Sequence, residues 1–139
     1  MNAKEFFQRN YYLEQRVNSR LRRLSDLRQL AGRVTSSLGR EPVSGSADVH
    51  KLDGTIAKIV DMEREINEDI DRLVDAKREA MAVIRQVEHP DQQLVLELRY
   101  LDFKSWPAIA EEMGLSPRWV QTLHERALAA VENIFSQKT

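Results

Sequence analysis

The sequence predicts an all-α protein: a long N-terminal antiparallel helical hairpin of coiled-coil type, followed by a small three-helix domain with a helix-turn-helix. Three observations carry that expectation. The 139 residues are 42% hydrophobic and 31% charged but only 6% aromatic, with five Gly and four Pro, which suits helix and leaves little material for turn-rich sheet. Apolar residues recur in alternating steps of three and four through most of the first 88 positions. The last third is punctuated by Ser, Pro and Gly where short helices would start and stop.

The first helix is read from Leu13, Val17, Arg20, Leu24, Leu27, Ala31, Val34 and Leu38, with Leu21 and Leu30 flanking the stripe. Gly39-Arg40-Glu41-Pro42-Val43-Ser44-Gly45-Ser46 then collects loop-forming residues, and a short loop makes two long helices antiparallel neighbours. The second helix follows Val49, Leu52, Ile56, Ile59, Glu63, Ile66, Ile70, Leu73, Lys77, Ala80, Ile84 and Val87, in which only Glu63 and Lys77 are not apolar. That 3.5-residue repeat is the seam of a coiled coil. Gly54 blurs the start, leaving Asp48 or Asp53 as N-cap.

Charge is unevenly placed. Residues 1–40 carry 9 basic and 3 acidic side chains, residues 41–88 carry 7 and 12, and residues 89–139 carry 5 and 7. A basic segment before an acidic one fits two helices that pair with each other, ahead of the alternative of a nucleic-acid-binding arm. Each exposed ion pair contributes only ~0–1 kcal/mol, so burial of the aliphatic seam must hold the hairpin while charge chooses partner and register. A two-helix hairpin leaves apolar surface open, and a homo-oligomer, with a dimer first, is expected through residues 1–88.

His89-Pro90-Asp91 breaks the second helix and opens a second unit, 89–139. Its helices are expected from about Pro90 to Leu101, from Ser105 and from Ser116. Ser105 and Ser116 are good N-caps, Pro107 and Pro117 fall in first turns, and Gly114 sits where a tight turn needs positive φ. Ala110, Gly114 and Val120 have the spacing of a helix-turn-helix, a small residue at the crossing, a turn glycine and an apolar seal, with Ile109, Met113, Leu115 and Leu123 around them. The tryptophans are weighed differently: Trp106 is expected in the three-helix core, Trp119 in the core or a subunit contact ahead of DNA. His124 is expected to be a partly exposed helix residue.

Leu96-Glu97-Leu98-Arg99-Tyr100-Leu101, Ser105-Trp106 with Ile109-Ala110, Gly114-Leu115-Ser116 and His124-Glu125-Arg126-Ala127-Leu128 resemble region 4 of sigma factors, over roughly residues 90–135. The whole layout is similar to the small phage transcriptional regulators of the ArpU/RinA-like group. That resemblance implies a regulator of phage late genes or prophage functions that binds double-stranded DNA. The likeness to sigma region 4 implies that Pro117, Arg118, Gln121 and Thr122 occupy its base-reading stretch, Pro117 for packing or entry angle only, with the cap Ser116 also a DNA-binding candidate. Arg118 matches the O6/N7 edge of guanine and Gln121 the N6/N7 edge of adenine; Arg126, Lys104 and Arg99 suit phosphates. Two other occupations fit the same layout, an RNA polymerase-binding sigma-like adaptor and a small terminase-like packaging protein. The −2 balance of residues 89–139 is unusual for a DNA-binding domain, so linked copies, the arginines of the first helix or a partner such as polymerase would have to supply affinity.

Other classes find less support. There is no cysteine for a disulfide or thiolate site, His50, His89 and His124 are far apart, and neither a phosphate loop nor a nucleophile–base pair is present. No enzyme activity, metal or cofactor is expected. The start lacks the pattern of a secretory signal and no window reaches the ~20 apolar residues of a membrane span, so a cytoplasmic protein without membrane contact is expected.

Overall fold

A computed structural model describes residues 1–40 and 45–137, with side chains described outside positions 35–49. Five helices follow one another: α1 Ala3–Arg40, α2 Gly45–Ile84, α3 Pro90–Tyr100, α4 Trp106–Met113 and α5 Pro117–Gln137. Among the described residues there is no strand. The expected all-α class with its long helix pair and small C-terminal helical part is therefore observed.

The helix ends correct the sequence reading in three places. Gly39 and Arg40 still belong to α1, and Gly45 and Ser46 already belong to α2; Glu41, Pro42, Val43 and Ser44 lie outside the described residues. Asp48 and Asp53 are inside α2 instead of capping it. An internal glycine costs only about 1 kcal/mol, and the partly buried Leu52 and Ile59 with buried Thr55 hold the helix together around Gly54. At its other end α2 stops at Ile84, before the His89-Pro90 break. The amides of Gln86 and Val87 bond to carbonyls three residues back, tightening the chain while Val87 stays buried.

The chain packs as two units, one made of Met1–Leu13 with Arg72–Thr139 and the other of Glu14–Asp71. In Glu14–Asp71 the α1 and α2 segments lie antiparallel, as paired charges show: Arg20 and Arg16 meet Asp69, and Arg28 meets Glu63 at 2.8 Å. Val17, Leu24, Val34 and Ile66 are buried along the seam. Arg20, the one polar residue of the α1 stripe, explains the main departure from the expected seam. It reaches Asp69, whose carboxylate is fully buried, and Asp69 takes an inward position while Ile56 and Ile70 turn outward. An α-helix drifts by about 20° per heptad relative to a strict seven-residue repeat, so a neighbouring row can replace the one read from the sequence.

The other unit is built differently. Its innermost side chains are Phe7, Ile84, Val95, Leu96, Ile109, Val120 and Val131, drawn from all five helices. The first turns of α1 belong to it. Phe7 stacks on Tyr100 with ring centroids 5.1 Å apart, Phe6 meets Phe135 edge-on at 5.3 Å, the Ala3 amide donates to Glu132, and Asn10 Nδ2 donates to the Tyr100 carbonyl at 3.4 Å. Packing thus divides the chain elsewhere than at the 88/89 break.

Candidate nucleic-acid interface

Local chemistry sets the bend between α4 and α5. The Ser105 hydroxyl accepts the Ala108 amide at the start of α4, with Pro107 in the first turn. Gly114 closes the helix at φ 67°, a left-handed conformation in which a side chain would be strained. The Leu115 amide donates to the Ala110 carbonyl. Ser116 then caps α5, accepting the Trp119 amide at 3.1 Å. Ile109, Ala110, Val120 and Leu123 are buried at the crossing, with Met113 and Leu115 packed beside them. These are the residues and roles that the spacing required of a helix-turn-helix.

This packing fixes what α5 shows to solvent. Ser116, Pro117, Arg118, Gln121 and Arg126 are exposed, and Thr122 is half-buried with its hydroxyl donating to the Arg118 carbonyl. Arg118, Gln121 and Thr122 thus lie together on the outer side of the first two turns. Trp119 is 42% exposed, outside the core, with the Arg126 guanidinium 5.2 Å from its ring centroid. The core position considered for Trp119 does not hold, because Val120 and Leu123 already fill the inward side of that turn.

The other two basic candidates have internal partners. The Arg99 guanidinium lies 4.4 Å from the Trp106 ring centroid and donates to the Lys104 carbonyl at 3.0 Å. Lys104 is paired with Glu112, and that hydrogen bond raises its pKa above the usual lysine value.

His124 corrects the expectation of a partly exposed side chain. It is buried, hydrogen-bonded through Nε2 to the Tyr100 hydroxyl at 2.7 Å, and edge-on to Trp106 at 4.6 Å. Burial first, then the positive charges of Arg99 and Lys4, hold its pKa down at about 4. The imidazole is therefore neutral near pH 7. Burial likewise raises the Tyr100 phenol.

Beside this row a cleft of about 500 Å³ opens. Lys4, Gln8, Tyr11 and Tyr12 of α1 form one wall, Gln121, Glu125 and Leu128 of α5 the other, with Arg99, Tyr100, Trp106 and His124 between them. The α1 residues were missed in the sequence. A usable signal was present, since Ala3, Phe7 and Asn10 carry the three-four spacing of α1 back to its first turn. Among the described residues no group of three His, Asp or Glu side chains is placed to hold a metal ion, and no helix is long and apolar enough to cross a membrane.

Residues 89–131 match the family model described as Sigma-70, region 4. Among curated proteins and among solved structures nothing matches the chain. The match covers α3, α4 and most of α5. This part of the chain is a sigma-region-4-like helix-turn-helix, which supports a DNA-binding regulatory role in general.

Proposed function

We propose that the protein is a sequence-specific transcriptional regulator of phage or prophage genes that inserts the first two turns of α5 into the major groove of duplex DNA. One observation carries this: the outward row Arg118, Gln121 and Thr122 on a helix whose start is fixed by the Gly114 bend and the Ser116 cap. A helix presented in this way offers its N-terminal side chains to base edges. Arg118 reads guanine and Gln121 adenine, while Arg126 on the flank meets phosphate.

Two copies joined through the Glu14–Asp71 pair complete the proposal. Leu21, Leu30, Ile56, Val60 and Ile70 remain between 37% and 48% exposed there, and such surface favours a further helical layer. The unit that carries the reading helix has as many acidic as basic side chains, so one copy alone gains little from counterion release. Linking two copies raises the effective concentration at a paired site. The same charge balance favours a second version, in which RNA polymerase supplies the missing affinity.

Selection from a random duplex library by the full-length protein tests the reading role. An enriched sequence is expected, and Arg118→Ala should lose ~1–3 kcal/mol of binding to it and relax base choice at one position. Equal losses on enriched and random duplexes would remove Arg118 from base reading.

A further inference from the structure

We propose that the first turns of α1 form a second DNA-contacting wall beside α5, with Lys4 and the Tyr12 hydroxyl receiving backbone phosphates at the mouth of the cleft they share with Gln121. The inference rests on the groove-entering role proposed for α5 and adds a contact that the helix-turn-helix itself does not contain.

The first reason is geometric. A helix with its side chains is about 10–12 Å across and the major groove about 12 Å wide, so whatever flanks an inserted helix on either side meets a strand of backbone. At 3.6 residues per turn, Gln121 and Arg126 are about 140° apart around α5. On the Arg126 side lies Trp119, under its guanidinium. On the Gln121 side lies the cleft, whose far wall is Lys4, Gln8, Tyr11 and Tyr12. Those four α1 side chains are therefore placed where the second strand would run.

The second reason is chemical. The wall offers hydrogen-bond donors suited to phosphate oxygens: a lysine ammonium, a glutamine amide and two phenols. Tyr12 is 66% exposed and Tyr11 44%; among the described aromatic side chains Tyr12 meets Tyr11, and Tyr11 also meets Phe103. Lys4 and Arg99 both act on His124 as positive charges, so the cleft carries a field that attracts anions. Glu125 on the α5 wall opposes it, which puts the phosphate seat on the α1 side.

The third reason is rigidity. The wall is held by Phe7 on Tyr100, Phe6 on Phe135, and the Ala3 amide on Glu132. It is a fixed part of the unit, so ordering it on binding carries little entropic cost.

The test uses the full-length protein with the enriched duplex and a random-sequence duplex of equal length, titrated over a range of salt. Lys4→Ala should weaken both by about threefold to tenfold and lower the slope of log affinity against log salt by about 0.9. Lys4→Arg should keep the wild-type slope. Tyr12→Ala should weaken both duplexes by a similar factor of about threefold to tenfold, and Glu125→Gln should tighten both. Lys4 and Tyr12 are exposed, so the variants should melt with the wild type. Wild-type affinity and slope in Lys4→Ala and Tyr12→Ala, with lost base choice in Arg118→Ala, would overturn the α1 wall and leave the α5 role intact. No binding of any duplex by the wild type would overturn both.

Discussion

The two packing units differ in how they bury what they bury. In the unit that carries α5, seven large aliphatic or aromatic side chains from five helices meet at one centre and are almost wholly removed from water. In Glu14–Asp71, two helices share a single seam; among the described residues its one fully buried large side chain is that of Asp69, and five large aliphatics remain substantially exposed. The first arrangement is a closed core, in which each element covers another. The second is one layer of a bundle, whose outer faces still call for a partner. A rigid head suits the placing of a helix in a groove, and an unfinished layer suits association.

The largest expected effect would break the closed core from its least obvious member. Phe7→Ala removes a fully buried ring stacked on Tyr100 and should destabilise the head by about 3–5 kcal/mol in denaturant titration. A loss under 1 kcal/mol would mean that the start of α1 is only laid against the head. In the other unit, Asp69→Ala leaves Arg20 and Arg16 without their buried carboxylate and should cost about 3 kcal/mol. Hydrogen exchange resolved by segment should place that loss in Glu14–Asp71, and loss of protection in α3 to α5 instead would contradict the role of Asp69 in holding that seam.

A smaller effect separates the units by pH. His124 is held neutral in the folded head, with its pKa near 4 against 6.5 when unfolded. The unfolded chain binds that proton first as pH falls, so the contribution of neutral His124 is present above pH 6.5 and is lost progressively down to about pH 4. After allowance for solvent screening the swing is about 2 kcal/mol. His124→Gln should flatten this part of the stability profile, and an unchanged slope would show that the titration belongs elsewhere. Smallest of all, Ser116→Ala should cost about 1 kcal/mol by removing the cap on the Trp119 amide, measured as a lowered melting temperature.

What could be read in advance follows the range of the interactions involved. Ser105, Gly114 and Ser116 act on amides and carbonyls within five residues, so the bend and the ends of α4 and α5 were legible in the sequence. The same holds for the outward row Arg118, Gln121 and Thr122, which follows once Val120 and Leu123 face inward. Asp69 in the seam, His124 against Tyr100 and Phe7 on Tyr100 join residues 24 to 93 positions apart, and nothing local announces such pairs. Phe103 is a further case. Its φ of 57° is unusual for a bulky side chain, and its ring lies near Tyr11 and beneath the Lys77 ammonium at 4.9 Å. Spacing alone extended the hairpin seam correctly through Val17, Leu24 and Val34, then placed Ile56 and Ile70 inward because charge pairing across the seam carries no periodic signal.

Hydrogen exchange of the full-length protein, with and without its enriched duplex, tests the central claim most directly. DNA should slow exchange in the first two turns of α5 and the first turns of α1, with Gln121 and Thr122 among the protected amides and no comparable change along residues 50–71. Protection confined to the hairpin, with α5 exchanging as it does in the free protein, would contradict the assignment of α5 as the helix that enters the groove.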